Sequence, residues 1–471
     1  MIFFKEGEKK IRPGIYQRYE NIGRAPLITA RDGICAIPVR ASWGPLGKVV
    51  KHNRAADLAK TYGAGVYGAG YTIPAAEAMF KGGAVTVYTY RMGTGGKKAT
   101  LAMDGITVSA KYEGQMPLSV AVQTKLADSA KKQFQVYSGT ALVETFDFMA
   151  DGANEGANLI KAAADSKYVE LVAETAPAVV AVLAVANGAL TGGEDPTITN
   201  EDYSEAFAAM ESTYYNVIAL DVDDDENMTL SLMLNEYMDG AYEMGKLAQI
   251  VVGEKTTVDF EKRLAHARSF DDYKTVYMGG GWMSGADSKD GVLAICQTAG
   301  TIASTPSSKG IVHMVIDGAT ELCESLTFQQ YEEAILSGML MISMSADGAI
   351  WYDSGVNTRV SNADSLNDDG WKKIRRVKVR FEAFDRIDRA LAPKVGRVSA
   401  DSDGVADVIQ TGQRILDAMV NEGKIFTGAT FTEDPDRPFE GDSAWFVIQL
   451  DDIDSLEKIY LRYQFRYSQN A

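Results

Sequence analysis

The spacing of apolar residues predicts most of the elements. Ile374, Val377, Phe381, Phe384, Ile387 and Leu391 recur at three- and four-residue steps, the seam of an amphipathic helix. A second helix is expected from Val405 to Glu422, with Val405, Val408, Ile409, Ile415, Leu416 and Met419 on one face. Ser402 or Asp403 suits its N-cap and Gly423 its C′ position. The end of the chain changes period. Ile459, Leu461, Tyr463, Phe465 and Tyr467 alternate with Lys458, Tyr460, Arg462, Gln464 and Arg466, a strand with one apolar and one basic face. Such a strand needs a sheet to join, and at a chain terminus we expect that sheet in another subunit.

Taken from the start, residues 1–22 read as an extended arm, because Pro13 fixes its own φ and restricts Arg12. A strand-like run follows from Leu27 to Val39, then the turn Trp43–Gly47, helices over Ala55–Tyr62 and Pro74–Lys81, and a strand over Val85–Tyr90. After Gly93–Gly96 the rhythm becomes short β-patterned runs: Ile106–Tyr112, Leu118–Thr124, Phe134–Ser138, Ala141–Phe148 and Tyr168–Ala173. They predict a small β-rich module that closes at Leu190–Pro196. Strand and helix then alternate: Tyr215–Val222, Met228–Met244, Gln249–Gly253, Phe260–Arg268, Lys274–Gly279 and Gly291–Ser304. That alternation predicts an α/β layer. Two final strands are expected at Ile425–Thr432 and Ala444–Leu450. The division is therefore 1–22 arm, 23–96 first part of the body, 97–195 inserted module, 196–355 α/β domain, 356–455 C-terminal domain and 456–471 terminal strand.

Charge sharpens this picture. The formal net charge is −17, which disfavours nucleic acid as a partner. Cations gather instead near both ends and in Lys372, Lys373, Arg375, Arg376, Lys378 and Arg380. One reading of that row is a solvated helix face; the other, beside an apolar seam in an acidic chain, is a docking surface for an acidic partner. Glu382, Asp385 and Asp388 partly offset it. The longest apolar run, Ala176–Leu190, is broken by Pro177, Asn187 and Gly188, so no membrane span is expected, and the N-terminus lacks the pattern of a signal peptide. Synthesis in the cytoplasm follows from that reading.

Motifs for chemistry are weak. Gly63–Gly68 spells a dinucleotide loop but follows a helical pattern rather than a strand, with Arg91 near the position of the required acid. Asp221–Glu226 has carboxylates at calcium-loop spacing, yet Glu226 replaces the glycine and Leu232 the final glutamate; acids serving the next helix are the expected reading. His52, His266 and His313 have no second ligand at metal spacing, and Cys35, Cys296 and Cys323 read as buried small hydrophobes. No catalytic, cofactor-binding or metal-ligating residue is expected.

Several segments resemble the contractile tail sheath proteins of myophages, defective prophages and phage-tail-like bacteriocins. They are Arg12–Tyr16, Ile37-Pro-Val39 with Trp43–Gly47 and Tyr62-Gly63, Leu190–Gly193, Arg375–Asp388, Val395–Val398 and Asp454–Tyr460. The chain departs from that family after Gly396-Arg-Val398, where Ser-Ala-Asp-Ser-Asp replaces an Asn-rich loop. The resemblance implies an α+β multidomain subunit, with an α/β sheath core and a C-terminal domain completed by strands from neighbours. It implies a helical homopolymer around an inner tail tube protein, ended by baseplate and tail terminator proteins, in a virion tail or tail-like particle. No nucleic acid, membrane insertion, cofactor or enzymatic activity is implied. The strand-adding arms would use Ile11, Pro13, Ile15, Tyr16, Ile459, Leu461, Tyr463, Phe465 and Tyr467. The row from Lys372 to Arg380 would face the tube, with the Val405–Glu422 helix the second candidate. The rival readings are an α/β enzyme or nucleotide-binding protein centred on 200–350, and an S-layer or capsid-type lattice protein.

Overall fold

The computed structural model describes residues 28–68, 70–175, 180–361 and 369–466, and the backbone of two short strands before them. Those strands, β1 (Ile2–Phe3) and β2 (Tyr16–Gln17), pair in parallel. Ile11, Pro13, Ile15 and Tyr467 of the expected arms lie outside the described residues, as does the side chain of Tyr16.

The body starts with β3 (Ile34–Val39), β4 (Val49–His52), α1 (Ala55–Tyr62), α2 (Ile73–Lys81) and β5 (Thr86–Arg91). The run expected from Leu27 becomes a strand only after Gly33, whose φ of 80° turns the chain into the sheet. The module follows: β6 (Thr100–Met103), β7 (Ile106–Ala110), β8 (Leu118–Thr124), β9 (Lys131–Ser138), β10 (Ala141–Met149), α3 (Glu155–Ala162), β11 (Val169–Ala173) and β12 (Val185–Ala189). Its sheets, in the orders β10-β9-β8-β12 and β11-β7-β6, enclose Val108, Val120, Phe134, Val136 and Leu159. Trp43 of the body joins that core, edge-on to Tyr112 at 5.0 Å and stacked on Tyr168 at 5.9 Å. The chain enters and leaves the module side by side, Thr94 bridging Thr197, Lys97 bridging Glu194 and Thr100 bridging Thr191.

The body resumes with α4 (Asn200–Met210), β13 (Val217–Ala219), α5 (Thr229–Glu243), β14 (Gln249–Gly253), α6 (Phe260–Phe270), β15 (Thr275–Met278), β16 (Trp282–Ser284), β17 (Asp287–Lys289) and α7 (Val292–Ser304). Then come β18 (Glu321–Leu322), α8 (Phe328–Leu336), β19 (Met339–Leu340), β20 (Ile342–Met344) and β21 (Ile350–Tyr352). The strands on the two sides of the module belong to one sheet, in the order β19-β15-β14-β13-β3-β5-β4. All its pairs are parallel except β4 with β5, so helices cover both faces. α1, α2 and α7 pack on one face, and α4, α5 and α6 on the other.

α2 and α7 touch backbone to backbone. A Cβ on Gly300 would lie 2.0 Å from the Met79 carbonyl oxygen, and one on Gly82 2.0 Å from that of Gln297. The C-terminal domain holds α9 (Ile374–Leu391), α10 (Ser402–Asn421), β22 (Thr430–Glu433) and β23 (Phe446–Gln449). Its core is Val379, Ala383, Ile387, Ile415, Leu416, Met419 and Phe431. The N-cap of α10 is Asp401, whose Oδ1 accepts from Gly404 N at 2.9 Å, one residue before the expected position. Gly423 ends the helix with φ of 71°, as its place in the sequence predicts.

Gly300→Ala is expected to lower stability by about 1–3 kcal/mol or more, since helix backbones must separate. Gly240→Ala on the exposed side of α5, where a Cβ meets nothing within 4 Å, should raise it by roughly 0.5–1 kcal/mol. Thermal unfolding of the two variants checks the contrast.

Candidate functional site

The basic row lies on the first half of α9, and it is turned onto the chain itself. Arg376 binds the Asp452 carboxylate through Nε and Nη2, the latter at 3.0 Å from Oδ1. Arg380 Nη2 donates to the same oxygen at 3.0 Å, and its guanidinium lies 4.3 Å from the Trp371 ring centre. Lys373 pairs with Glu457. Arg375 donates to Ser455 Oγ at 3.1 Å and to the Ser307 carbonyl at 3.3 Å. Lys378 donates to the carbonyl oxygens of Ile302 and Thr305 at the end of α7, where the helix dipole favours a cation. Lys372 pairs with Asp369 at 3.0 Å. The six cations thus form no open docking field; four of them fasten residues 452–457 to α9.

Burial by itself would raise the Asp452 pKa. The Arg376 hydrogen bond and the Arg380 charge outweigh it, holding the carboxyl below its ordinary value. Burial pushes the Lys378 ammonium down to about 8, against the opposing charges of Asp32 and Glu382. Behind the row, Arg386 is fully buried and bonds both Glu422 oxygens at 2.9 Å and Glu382 at 3.0 Å, while Lys424 Nζ lies 2.6 Å from Glu382. Backbone bonds complete the attachment, from Ile453 N to the Lys424 carbonyl and from Phe426 N to that of Asp451, at 2.9 and 2.8 Å.

Beyond this root the chain changes character. No residue from 453 to 466 belongs to a strand. Ile459, Tyr460, Leu461, Tyr463 and Phe465 are between 70% and 88% exposed, a run of apolar surface that soluble monomers seldom present. On α9 the predicted seam holds except at Phe384, which is 44% exposed while Ala383 faces the core.

The other candidate region is the crevice where the strand order reverses, beyond the C-terminal ends of β3 and β13. Open parallel sheets bind ligands at such a point. Here Asp221 fills it, fully buried, accepting hydrogen bonds from Tyr203 Oη and Thr72 Oγ1 at 2.6 Å each. Arg40 Nε lies 3.5 Å from the same carboxylate, and Arg40 Nη2 donates to Tyr203 at 2.7 Å. Burial raises the Asp221 pKa against the Arg40 charge.

Asp223 accepts from Val292 N at the start of α7, Asp224 from Leu230 N and Ser231 N, and Asp225 from Thr229 N. The acidic run serves helix starts, as expected. Among the described residues no group of three or more His, Cys, Asp or Glu is placed to hold a metal ion. His52 is buried against Thr89 with its pKa lowered to about 4 by burial, His266 bonds Glu254, and His313 stacks on Trp351 at 4.2 Å. Cys35 and Cys296 are buried, whereas Cys323 is only half-buried. No described helix is long and apolar enough to cross a membrane.

An α/β core with a β-rich insertion and a C-terminal domain is an architecture shared with solved sheath proteins. Residues 197–354 match the family described as phage tail sheath protein central domain. The whole chain aligns with phage-like element PBSX protein XkdK of Bacillus subtilis (strain 168) at 22% identity, over 97% of this chain and 98% of that one. An uncharacterized protein of the same organism, YqbK, is 27% identical over 48% of this chain, about half (49%) of its own length. Among solved structures, a sheath tail protein from Listeria innocua matches with a TM-score of 0.71 at 20% identity, over 90% of this chain and 95% of that one. The sheath of an extracellular contractile injection system, PVC, in its contracted state, matches at 0.55 and 10% identity over 97% and 98%. These likenesses show a shared fold.

The sequence did not single out Asp452, Ser455 and Glu457 as partners of α9. The available signal was the acidic stretch Asp451–Glu457 standing between two basic ones. Because the Asp452 pKa is lower in the folded chain, its ion pairs stabilise the root above the ordinary carboxylate value of 3.8 and lose that contribution as the pH falls through the folded value. Amide exchange at Ile453 should therefore be slow at pH 7. Asp452→Asn should accelerate it at that pH at least tenfold, and equal rates in the two proteins would refute the anchor.

Proposed function

We propose that this chain is the structural subunit of a contractile tail sheath, made in a bacterial cytoplasm and built into a tail or tail-like particle. The single observation that carries this reading is the exposed, strand-patterned segment 458–466 on a body of the sheath fold. Subunits polymerise helically around an inner tube, with baseplate and terminator proteins at the ends. Their terminal arms add strands to sheets in neighbouring subunits, which keeps the lattice connected while its subunits rotate. Contraction then draws on interface energy and drives the tube through an envelope. No reaction is assigned to the chain, since its own side chains occupy the crevice where a nucleotide would sit.

Each added main-chain hydrogen bond contributes about 1 kcal/mol net. Ordering the arm costs a comparable amount per residue, so burial of its aromatic face, at about 25 cal/mol per Å2, must supply the rest. Of the two surfaces expected to meet the tube, the row on α9 is engaged with the C-terminal segment. We therefore assign tube contact to the exposed face of α10, with Asp403, Gln410, Arg414 and Asp417.

Removing residues 458–471 leaves the anchored root in place. The truncated chain is expected to keep the melting temperature of the full one and to form no ordered polymer. Electron microscopy should find hollow helical tubes for the full chain and single particles for the truncated one. Tubes from the truncated chain, or flat lattices from the full one, would overturn the assignment.

A further inference from the structure

The central sheet ends in two unlike margins. β4, with α1 after it, stands at one end of the strand order, and β19, with the helix α8 that leads into it, at the other. Six strand spacings of about 4.8 Å separate them, roughly 29 Å. The first margin is basic. Between residues 41 and 76 the chain has four cations, Lys48, Lys51, Arg54 and Lys60, and one acid, Asp57. Asp57 pairs with Lys60 at 3.3 Å. Lys48, Lys51 and Arg54 are exposed and form no ion pair among the described residues. One lysine on an edge strand is enough to discourage stray strand pairing; a row of three charges asks for a further reason.

The second margin is acidic. Residues 310–358, which hold α8 and β18 to β21, contain seven acids and no lysine or arginine. Glu324 pairs with Arg263, and Asp353 accepts from Ser343 Oγ at 2.6 Å. The carboxylates of Glu332 and Glu333 on α8 have no partner among the described residues. α8 turns Ala334 into the core, while Phe328 is 79% and Leu336 75% exposed. These two lie eight residues apart, on one side of the helix with Glu332 between them. Two large apolar side chains framing an acid make an unpartnered stripe that calls for a cover.

Building on the sheath reading, we infer that α8 of one copy of this chain docks on the β4–α1 margin of a second copy. Phe328 and Leu336 supply the apolar area, and Glu332 and Glu333 meet Lys51 and Arg54. The occupant is a second copy because the charge that complements α8 stands at the far end of the same sheet. Opposite charge selects which margin faces which and suppresses the like-charged pairings. Each body then shows one face to the copy before it and a different face to the copy after it. A contact of that kind does not stop at a dimer but propagates as a ring or a helix. The seven-stranded sheet becomes the rigid spacer between successive contacts, and the terminal arms take no part in them.

Charge exchange in the full-length chain tests this. Lys51→Glu with Arg54→Glu makes both margins acidic, and Glu332→Lys with Glu333→Lys makes both basic. Each variant alone should need about ten times the protein concentration, or more, to form ordered polymer. An equimolar mixture of the two restores unlike margins at every contact and should assemble at the concentration of the unmodified chain, as should a single chain carrying all four changes. Melting temperatures equal to that of the unmodified chain show that each variant is folded. Assembly of either two-residue variant at the unmodified concentration, or no rescue in the mixture of folded variants, would overturn the inference while leaving the sheath reading standing. Absence of ordered polymer from the unmodified chain would remove both. Carbodiimide coupling of the unmodified polymer gives a measure free of mutations: amide links should join Lys48 or Lys51 to Glu332 or Glu333, a span of roughly 29 Å that no single copy can close. Polymer that couples elsewhere but lacks these links would refute the contact.

Discussion

Two arginines on one helix turn share a single carboxylate, and the geometry of the chain's end depends on that contact. Arg376 and Arg380 hold Asp452, so the backbone leading into the exposed segment is fixed relative to α9. Lys378 on the same helix binds the end of α7, and Arg386 and Lys424 join α9 to the far end of α10 through Glu382 and Glu422. The C-terminal domain and the central sheet are thereby tied by charge-assisted bonds as well as by apolar contact. Buried ion pairs add little net stability when desolvation is counted, but their directionality fixes one arrangement. In the sheath proposed above, that suits a part that delivers a strand to a set position.

Much of the fold was legible. Ala55–Tyr62 and Ile374–Leu391 are helices, and Leu118–Thr124 and Gln249–Gly253 are strands, with the limits their periodicity indicates. Pattern failed where burial was partial or the signal short: β6 and β12 carry half-exposed residues, and α3 begins in a run rich in Gly and Asn. Strand β13 keeps only the fully buried centre of the longer run expected there. The purpose of the basic row was not legible, because Arg376 and Asp452 stand 76 residues apart and periodicity reports only on neighbours. Charge order did carry a hint: acids lie immediately ahead of the basic terminal segment.

The crevice at the reversal of strand order is filled by the chain's own side chains. Asp221 keeps a position where many α/β proteins handle a ligand, yet Tyr203 and Thr72 take up its hydrogen-bonding capacity and Arg40 answers its charge. A polar centre of this sort is costly to rearrange once satisfied, so it stiffens the sheet at its middle.

The paired entry and exit of the inserted module carries a consequence of another kind. Thr94 beside Thr197 and Thr100 beside Thr191 make the attachment a narrow two-stranded neck, and β5 and β13 lie on opposite sides of β3 whatever stands between them. The module interrupts the chain between β5 and β13 without interrupting the sheet, although Trp43 of the body is shared with its core. The register of the central sheet is set where β13, β3 and β5 pair directly, whatever length of chain lies between β5 and β13.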